Sequence, residues 1–525
     1  MSVADLIDLL LQHSPALIVA IPLLGAFITP LISRLNDKLR NVFVILTLGL
    51  TASLVFLLAS DVFIGNIHTY IFGSQDLTLP VVRILFEVDA MSAFMTIISV
   101  ILSLVAVIYS WSFMKENTGL DKYYTLILLM TAGMLGMELT GDLFNFFVFL
   151  EITSISSAAL VAFWTNKAKS VEAGFKYIVI STIGALFILF SIALFYGQYN
   201  ALNMAMIAST IQYTFLDKIA LVLLIAALAM KAGVVPMHMW LPDAYGKAPS
   251  SVTFLLVGAT QASLYGVFRV CFTIYGGAIN LSPISVGWIL VILGIITMLL
   301  GVAMAIIQTD FKRLIAFGAV AEIGYMLLGI GTGLTVMLNP EMTATGLVAM
   351  KGGIFHIMND ALDVGLLFLV AGAIYYATKE TSLNKLGGLA RNMKYTTIFF
   401  IIGLLAVSGM PPMNGFASKL LIYESTYQLN PILSIIAVLS SIMLLAIFVK
   451  VFHSAFLGPA LPKFENVKEV PKSMLIAMGA VATIIIIFGL FPEIIINNIV
   501  EPAANALVNY GGYVREVIPS FTGGI

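Results

Sequence analysis

Apolar stretches of about 20 residues recur from one end of this chain to the other, and that length is what a helix needs to cross a bilayer. Such spacing restricts the chain to a bundle of membrane-spanning helices, because only helices and closed barrels satisfy their own backbone groups in lipid. With 60% hydrophobic and 10% charged residues among 525, a soluble surface is excluded. Spans are expected at about 16–33, 40–60, 90–113, 123–140, 143–165, 175–197, 219–240, 250–275, 286–308, 313–333, 343–376, 396–424, 430–454 and 474–492. That makes an all-α polytopic membrane protein of about fourteen transmembrane helices. The stretch 343–376 fits either one long helix or a helix with a break.

The loop charges give an independent check on the count. Arg34, Lys38 and Arg40, then Lys115 and Lys122, Lys167 and Lys169, and Lys312 and Arg313 all follow odd-numbered spans. So do Lys379, Lys385, Arg391 and Lys394, and finally Lys463, Lys468 and Lys472. In a fourteen-span arrangement these loops share one side, which the positive-inside rule makes cytoplasmic. The chain is thus expected in the cell membrane, multi-pass, with both termini extracytoplasmic. The first apolar run, from about Ala16 to Ile32, reads as a span and not as a cleavable signal. The longest polar connections, Asp61 to Glu87 and Leu457 to Lys472, are too short for an enzyme domain. A formal net charge of −1 gives no sign of nucleic-acid binding, and the single cysteine, Cys271, excludes a cysteine-ligated cluster and an internal disulfide.

Several ionisable residues sit in the wrong solvent. Glu151, Lys231, Glu322, Lys351, His356, Asp360, Asp363 and Lys419 all fall within apolar spans. Each must face a bundle interior, a partner or water. For Lys351 the competing reading is a side chain that snorkels to the interface. His356 and Asp360 are four residues apart and share a helix face, with Asp363 one turn on. A histidine beside a carboxylate makes a relay pair, since its ordinary pKa lies near neutrality; a helix-packing hydrogen bond is the alternative.

Prolines mark two places where helices break. Pro236 and Pro242 follow Lys231 in "KAGVVPMHMWLPDAY", and Pro411 and Pro412 precede Lys419 in "SGMPPMNGFASK". Each removes a backbone donor, which a membrane tolerates only beside protein or a polar cavity. Two broken helices, one in each half, suggest an internal repeat with an ion path near the midplane.

The same residues carry a resemblance. The chain resembles the antiporter-like subunits shared by respiratory complex I, the Mrp sodium/proton antiporters and membrane-bound hydrogenases. It does so through "VDAMSA" at 88–93, "GDLFNFFVFLEI" at 141–152, "KAGVVPMHMWLPDAYGKAPS" at 231–250, "QTDFKRLIAF" at 308–317 and "GMPPMNGFASK" at 409–419. "GDLFNFFVFLE" and Lys419 look most similar to the Mrp D-type subunit and its hydrogenase counterpart. The resemblance implies two inverted five-helix repeats, each with a broken helix. The divisions are 1–122 for three N-terminal helices, 123–275 and 286–454 for the repeats, and 474–525 for a last helix and tail. Glu151 then matches the glutamate of the fifth helix, Lys231 the lysine of the broken seventh, and Lys419 the ionisable residue of the broken twelfth. Gln261 stands where the family has a lysine, Glu322 where it often has a histidine, and Asp360 and Val364 where a histidine and lysine are usual.

The expected mechanism is transport. Glu151 holds Lys231 charged, and separating the pair favours release of the ammonium's proton into a line of groups: Gln261 with a hydrated gap, Glu322, His356, Asp360, Asp363 and Lys419. No nucleophile motif, nucleotide loop or metal-ligand cluster is found, so no catalytic centre, metal or cofactor of its own is expected. The expected partners are other membrane subunits, including paralogous antiporter-like ones, with protons and, as a second candidate, sodium as cargo. An Mrp-type antiporter and a redox-driven complex both fit. A self-contained solute symporter and a purely structural membrane subunit are the alternatives.

Overall fold

The computed structural model describes residues 3–72, 84–276, 283–337, 339 and 341–520. Residues 73–83, part of the long connection after the second span and including Arg83, lie outside the described residues. The chain is helical almost throughout, in the order α1 (Val3–Ser33), α2 (Asp37–Val62), β1 (His68–Ile71), β2 (Leu85–Val88), α3 (Ala90–Phe113), α4 (Leu120–Leu139), α5 (Leu143–Val161), α6 (Ala168–Tyr199), α7 (Met204–Thr210) and α8 (Phe215–Ala232). There follow α9 (Trp240–Lys247), α10 (Ser250–Arg269), α11 (Pro283–Ile306), α12 (Phe311–Val336), α13 (Thr343–Thr378), α14 (Lys394–Val407), α15 (Asn414–Leu429), α16 (Pro431–Val451) and α17 (Lys472–Leu490). The chain then turns through α18 (Pro492–Ile495), α19 (Glu501–Val508) and α20 (Tyr510–Val517). The two short strands pair antiparallel, His68 opposite Val88.

Eleven helices among the described residues are long and apolar enough to cross a membrane. The protein is a polytopic, all-helical membrane protein. The other three expected spans fall on α4, α8 and the α14–α15 pair. α4 and α8 have the length but carry three charged residues each, and α14 and α15 are two short helices. The stretch around His356 is one unbroken helix of 36 residues.

Helix starts explain three of the sequence motifs. Asp89 of "VDAMSA" accepts a hydrogen bond from the Ser92 amide, Asp142 of "GDLFN" from Asn145, and Asp310 of "QTDFKR" from Arg313. Each aspartate thus caps its helix and satisfies an amide that would otherwise lack a partner.

The two helix breaks share one construction. α8 ends where Gly233 adopts φ +83°, and α14 ends where Gly409 adopts φ +65°. At the first, the Val234 amide donates to Ala229 O and the Gly233 amide to Met230 O. At the second, Met410 donates to Leu405 O and Gly409 to Ala406 O, with the same spacing. These paired bonds close a helix C-terminus around a left-handed glycine. A proline follows three residues later in both, Pro236 and Pro412, each after a cis peptide bond. Pro242 does not break a helix as expected: it is the third residue of α9. In the first turn a proline has no intrahelical donor to lose, so it starts that helix instead.

Burial places the centre of the bundle. The apolar windows of α10, α12 and α13 are wholly enclosed by protein, whereas much of α6, α11 and α16 faces outward. Phe175, Leu186, Ile292 and Ile442 are among the large apolar side chains left exposed on those outer helices. Their lipid-facing apolarity fits a bilayer, where no hydrophobic force drives them inward.

Candidate ion-transfer site

Two buried lysines, each paired with a glutamate, anchor the site. Lys231 lies in the last turn of α8, immediately before the break at Gly233. Its ammonium donates to Glu151 Oε1 at 3.3 Å, Ser154 Oγ at 2.8 Å and Ser181 Oγ at 2.9 Å. Glu151 and Ser154 are three residues apart on α5 and present one face to it. Beside Lys231 is a cavity of about 20 Å³ lined by Met137, Ser154, Ser181, Thr260 and Ser263 among others. That volume admits one water molecule.

Lys419 lies just past the second break, on α15. Its ammonium donates to Glu322 Oε1 at 2.9 Å and to the Val407 carbonyl, the last of α14, at 2.7 Å. It also stands 4.3 Å from the centre of the Tyr325 ring. A helix C-terminus and an aromatic face both favour a cation. The second oxygen of Glu322 meets His356 Nε2 at 2.7 Å, and His356 Nδ1 meets Ser418 Oγ at 3.0 Å. With the ring neutral, Nε2–H donates to the carboxylate and Nδ1 accepts from the serine. Glu322, His356 and Lys419 are each about 1% exposed, so this triad is closed to solvent.

His356 therefore does not form the expected relay pair with Asp360. Its two ring nitrogens are taken by Glu322 and Ser418 from neighbouring helices, and Asp360 instead accepts from Gln261 Nε2 at 2.8 Å. A shared helix face brings two side chains close, but it is the carboxylate of Glu322, from the neighbouring α12, that lies within hydrogen-bond reach of the imidazole. Gln261 is accordingly a direct bridge from α10 to α13. Asp360 Oδ1 and Gln261 Oε1 have no protein partner among the described residues, so the bridge keeps an open acceptor on each side. Asp363 is buried beside the second break, where a Cβ added to Gly415 would lie 3.1 Å from its Oδ2. Lys351 is neither a member of this line nor snorkelling: it pairs with Glu501 of α19 at 3.0 Å.

Three groups escaped the sequence reading. Lys312, counted there as a loop cation, is 5% exposed and donates to Ala248 O and Thr253 Oγ1. Arg269 reaches across to Asp89, and Glu138 is fully buried against Ser99. Each stands near an expected span end, where a charge reads as interfacial. The one available signal was "VDAMSA", whose aspartate is the partner of Arg269.

The chain is similar to known membrane proteins over most of its length. The family model described as "NADH:quinone oxidoreductase/Mrp antiporter, TM" matches residues 140–444, more than half the chain, and holds both lysine–glutamate pairs. The chain belongs to that family. A second model, "NADH-Ubiquinone oxidoreductase (complex I), chain 5 N-terminus", matches residues 79–124. Among relatives in this family, NADH-quinone oxidoreductase subunit N of Desulforudis audaxviator is 31% identical over 514 residues, covering 94% of this chain and 98% of that one. Na(+)/H(+) antiporter subunit A1 of Staphylococcus haemolyticus is 32% identical over 524 residues; the match covers 93% of this chain and 62% of that longer protein. The solved Mrp complex of a Dietzia species contains a chain with a TM-score of 0.85 and 25% identity, covering 97% of this chain and 100% of that chain.

Proposed function

We propose that the chain is an ion-translocating subunit of a multisubunit membrane complex, moving protons along a line from Glu151 and Lys231 through Gln261 and Asp360 to Glu322, His356 and Lys419. The observation that carries this is the doubled arrangement: a buried lysine at a glycine–proline helix break, paired each time with a glutamate on another helix. Asp363 lies beside the second break and belongs to the same line. Ionised groups this deep cost several kcal/mol each unless paired, so a chain with no use for them would be expected to fill these sites with apolar residues.

The two pairs also support an inverted duplication. Glu151 and Glu322 lie on the second helix of each expected repeat, 123–275 and 286–454, and Lys231 and Lys419 flank the broken helix. On this reading α8 with α9 and α14 with α15 each make one discontinuous span. The two repeats then hold ten spans, and the three helices of 1–122 before them and the one of 474–525 after them make fourteen, with both termini extracytoplasmic. Protons suit the Glu–Lys and Glu–His contacts directly. Sodium remains a second cargo, for which the free oxygens of Asp360 and Gln261 supply acceptors.

The mechanism follows from the contacts. While Glu151 faces Lys231, the ammonium is held charged. Drawing Glu151 away leaves a desolvated cation among serine hydroxyls, and the ammonium then releases its proton toward Gln261 and Asp360. The test is proton flux by the purified complex in liposomes. Lys231→Ala should abolish flux without dissolving the complex; unchanged flux would assign this chain a structural part only. Purification from the native membrane distinguishes the couplings. An iron–sulfur subunit among the partners makes the complex redox-driven, an antiporter set makes it Mrp-like, and a chain that transports alone overturns the subunit reading.

A further inference from the structure

Glu138 is one of several buried carboxyls that stand outside the line just described; Glu87, Asp89, Asp142 and Asp217 are others. Glu138, in the last turn of α4, is 0% exposed. Its Oε1 accepts from Ser99 Oγ at 2.5 Å, and its Oε2 has no partner among the described residues. A carboxyl kept only for packing would be expected to satisfy both oxygens.

Polar groups lead away from Glu138 in two directions. On α3 the buried residues Ser92, Thr96, Ser99 and Ser103 recur every three or four positions and form one stripe. At its start the Arg269 guanidinium bonds Asp89 and Ser92, Ser92 meets the Tyr265 hydroxyl at 3.1 Å, and that hydroxyl donates to the Glu138 carbonyl at 3.0 Å. In the other direction, the neighbouring Met137 and Ser263 of α10 line the 20 Å³ cavity beside Lys231. Glu138 thus follows directly on a residue that lines the Lys231 cavity, and its carboxyl bonds α3, whose N-terminal Asp89 pairs with Arg269.

We propose that Glu138 is a proton-carrying side station, taking a proton released by Lys231 and passing it toward the Asp89–Arg269 cluster. This gives the first half of the bundle an outlet of its own. The step balances: the ammonium of Lys231 becomes an amine, and the carboxylate of Glu138 becomes a carboxylic acid at Oε2, with water as the carrier between them. The return step passes that proton through the hydroxyls of α3 and α10, each giving up one proton as it takes another, to the Asp89 carboxylate beside Arg269, and restores the carboxylate of Glu138. The inference rests on the Glu151–Lys231 reading above.

The experiment compares Glu138→Gln and Glu151→Gln in the assembled complex. Proton flux is measured in liposomes, and the infrared C=O stretch of protonated carboxyls is recorded before and after exchange into deuterium oxide. The expected result is at least about a fivefold loss of flux in Glu138→Gln, barrier arithmetic of about 1 kcal/mol, with one exchange-sensitive carboxyl band missing. Wild-type flux in Glu138→Gln, or an unchanged carboxyl band, overturns the inference while an impaired Glu151→Gln leaves the main line standing. Wild-type flux in Glu151→Gln overturns both. Should the glutamine variant fail to assemble, Glu138→Leu replaces it under the same criteria, since an apolar side chain of similar volume leaves no unpaired polar atom.

Discussion

The two lysine–glutamate pairs are built from the same parts and closed to different degrees. Glu151 keeps a quarter of its side chain exposed, its contact with Lys231 is 3.3 Å, and two serine hydroxyls share the ammonium. Glu322 is about 1% exposed and is clamped on both oxygens, by Lys419 at 2.9 Å and His356 at 2.7 Å. The position of the lysine differs as well: Lys231 precedes its break, whereas Lys419 follows its own and caps the carbonyl end of α14. A loosely held pair with alternative partners can be opened at small cost, while a closed triad resists opening until charge arrives from elsewhere. On the proposed reading, the switching step falls to the first pair and the fixed station to the second.

The largest test of that contrast is Glu322→Gln. It leaves Lys419 and the ring of His356 without their carboxylate in a site closed to water, and the expected loss is about 3–5 kcal/mol. Thermal unfolding of the purified complex should show it as a clear fall in Tm. Glu151→Gln should cost roughly 1–2 kcal/mol in the same measurement, because Ser154 and Ser181 still receive the ammonium and Glu151 is partly solvated. Its flux should nonetheless fall by about tenfold or more. Equal stability losses in the two variants would erase the distinction between switch and station.

Smaller effects sharpen the comparison of the breaks. Gly233→Ala and Gly409→Ala both force a side chain into the left-handed region, at about 1–2 kcal/mol each, but the Cβ at 233 would also lie 2.4 Å from Leu241 Cδ1. At the second break the Cβ of Gly409→Ala would meet Lys419 Cδ at 2.9 Å, the stem of a flexible chain. The first substitution should therefore lower Tm more than the second, and the second should disturb flux through Lys419. Ser154→Ala removes one of three acceptors around Lys231 and should cost about 0.5–1.5 kcal/mol. If that variant moves flux as much as Glu151→Gln, the serine and not the glutamate controls the lysine.

Much of this was legible in the residues. Apolar length fixed the helices, and the expected Glu151–Lys231 contact is present at 3.3 Å. Proline located both breaks, although Pro242 misled, because the rule that a proline interrupts a helix fails in the first turn. Spacing along α13 paired His356 with Asp360, yet the rings and carboxylates of a buried cluster choose partners across helices. Lys312, Arg269 and Glu138 were unreadable for a related reason: hydropathy places a charge near a span end at the interface, and only packing shows that protein covers it.

The sequence by itself determined the solvent, the helices, their caps and the stock of ionisable groups, because these follow from local hydrophobicity, donor geometry and backbone freedom. The tertiary structure decided the pairing. Lys419 and Glu322 are 97 positions apart, Lys231 and Glu151 are 80 apart, and Gln261 and Asp360 are 99 apart. No local preference reaches across such separations. The register of packed helices does, and it brings each charge to the one partner whose absence it could not tolerate in so little water.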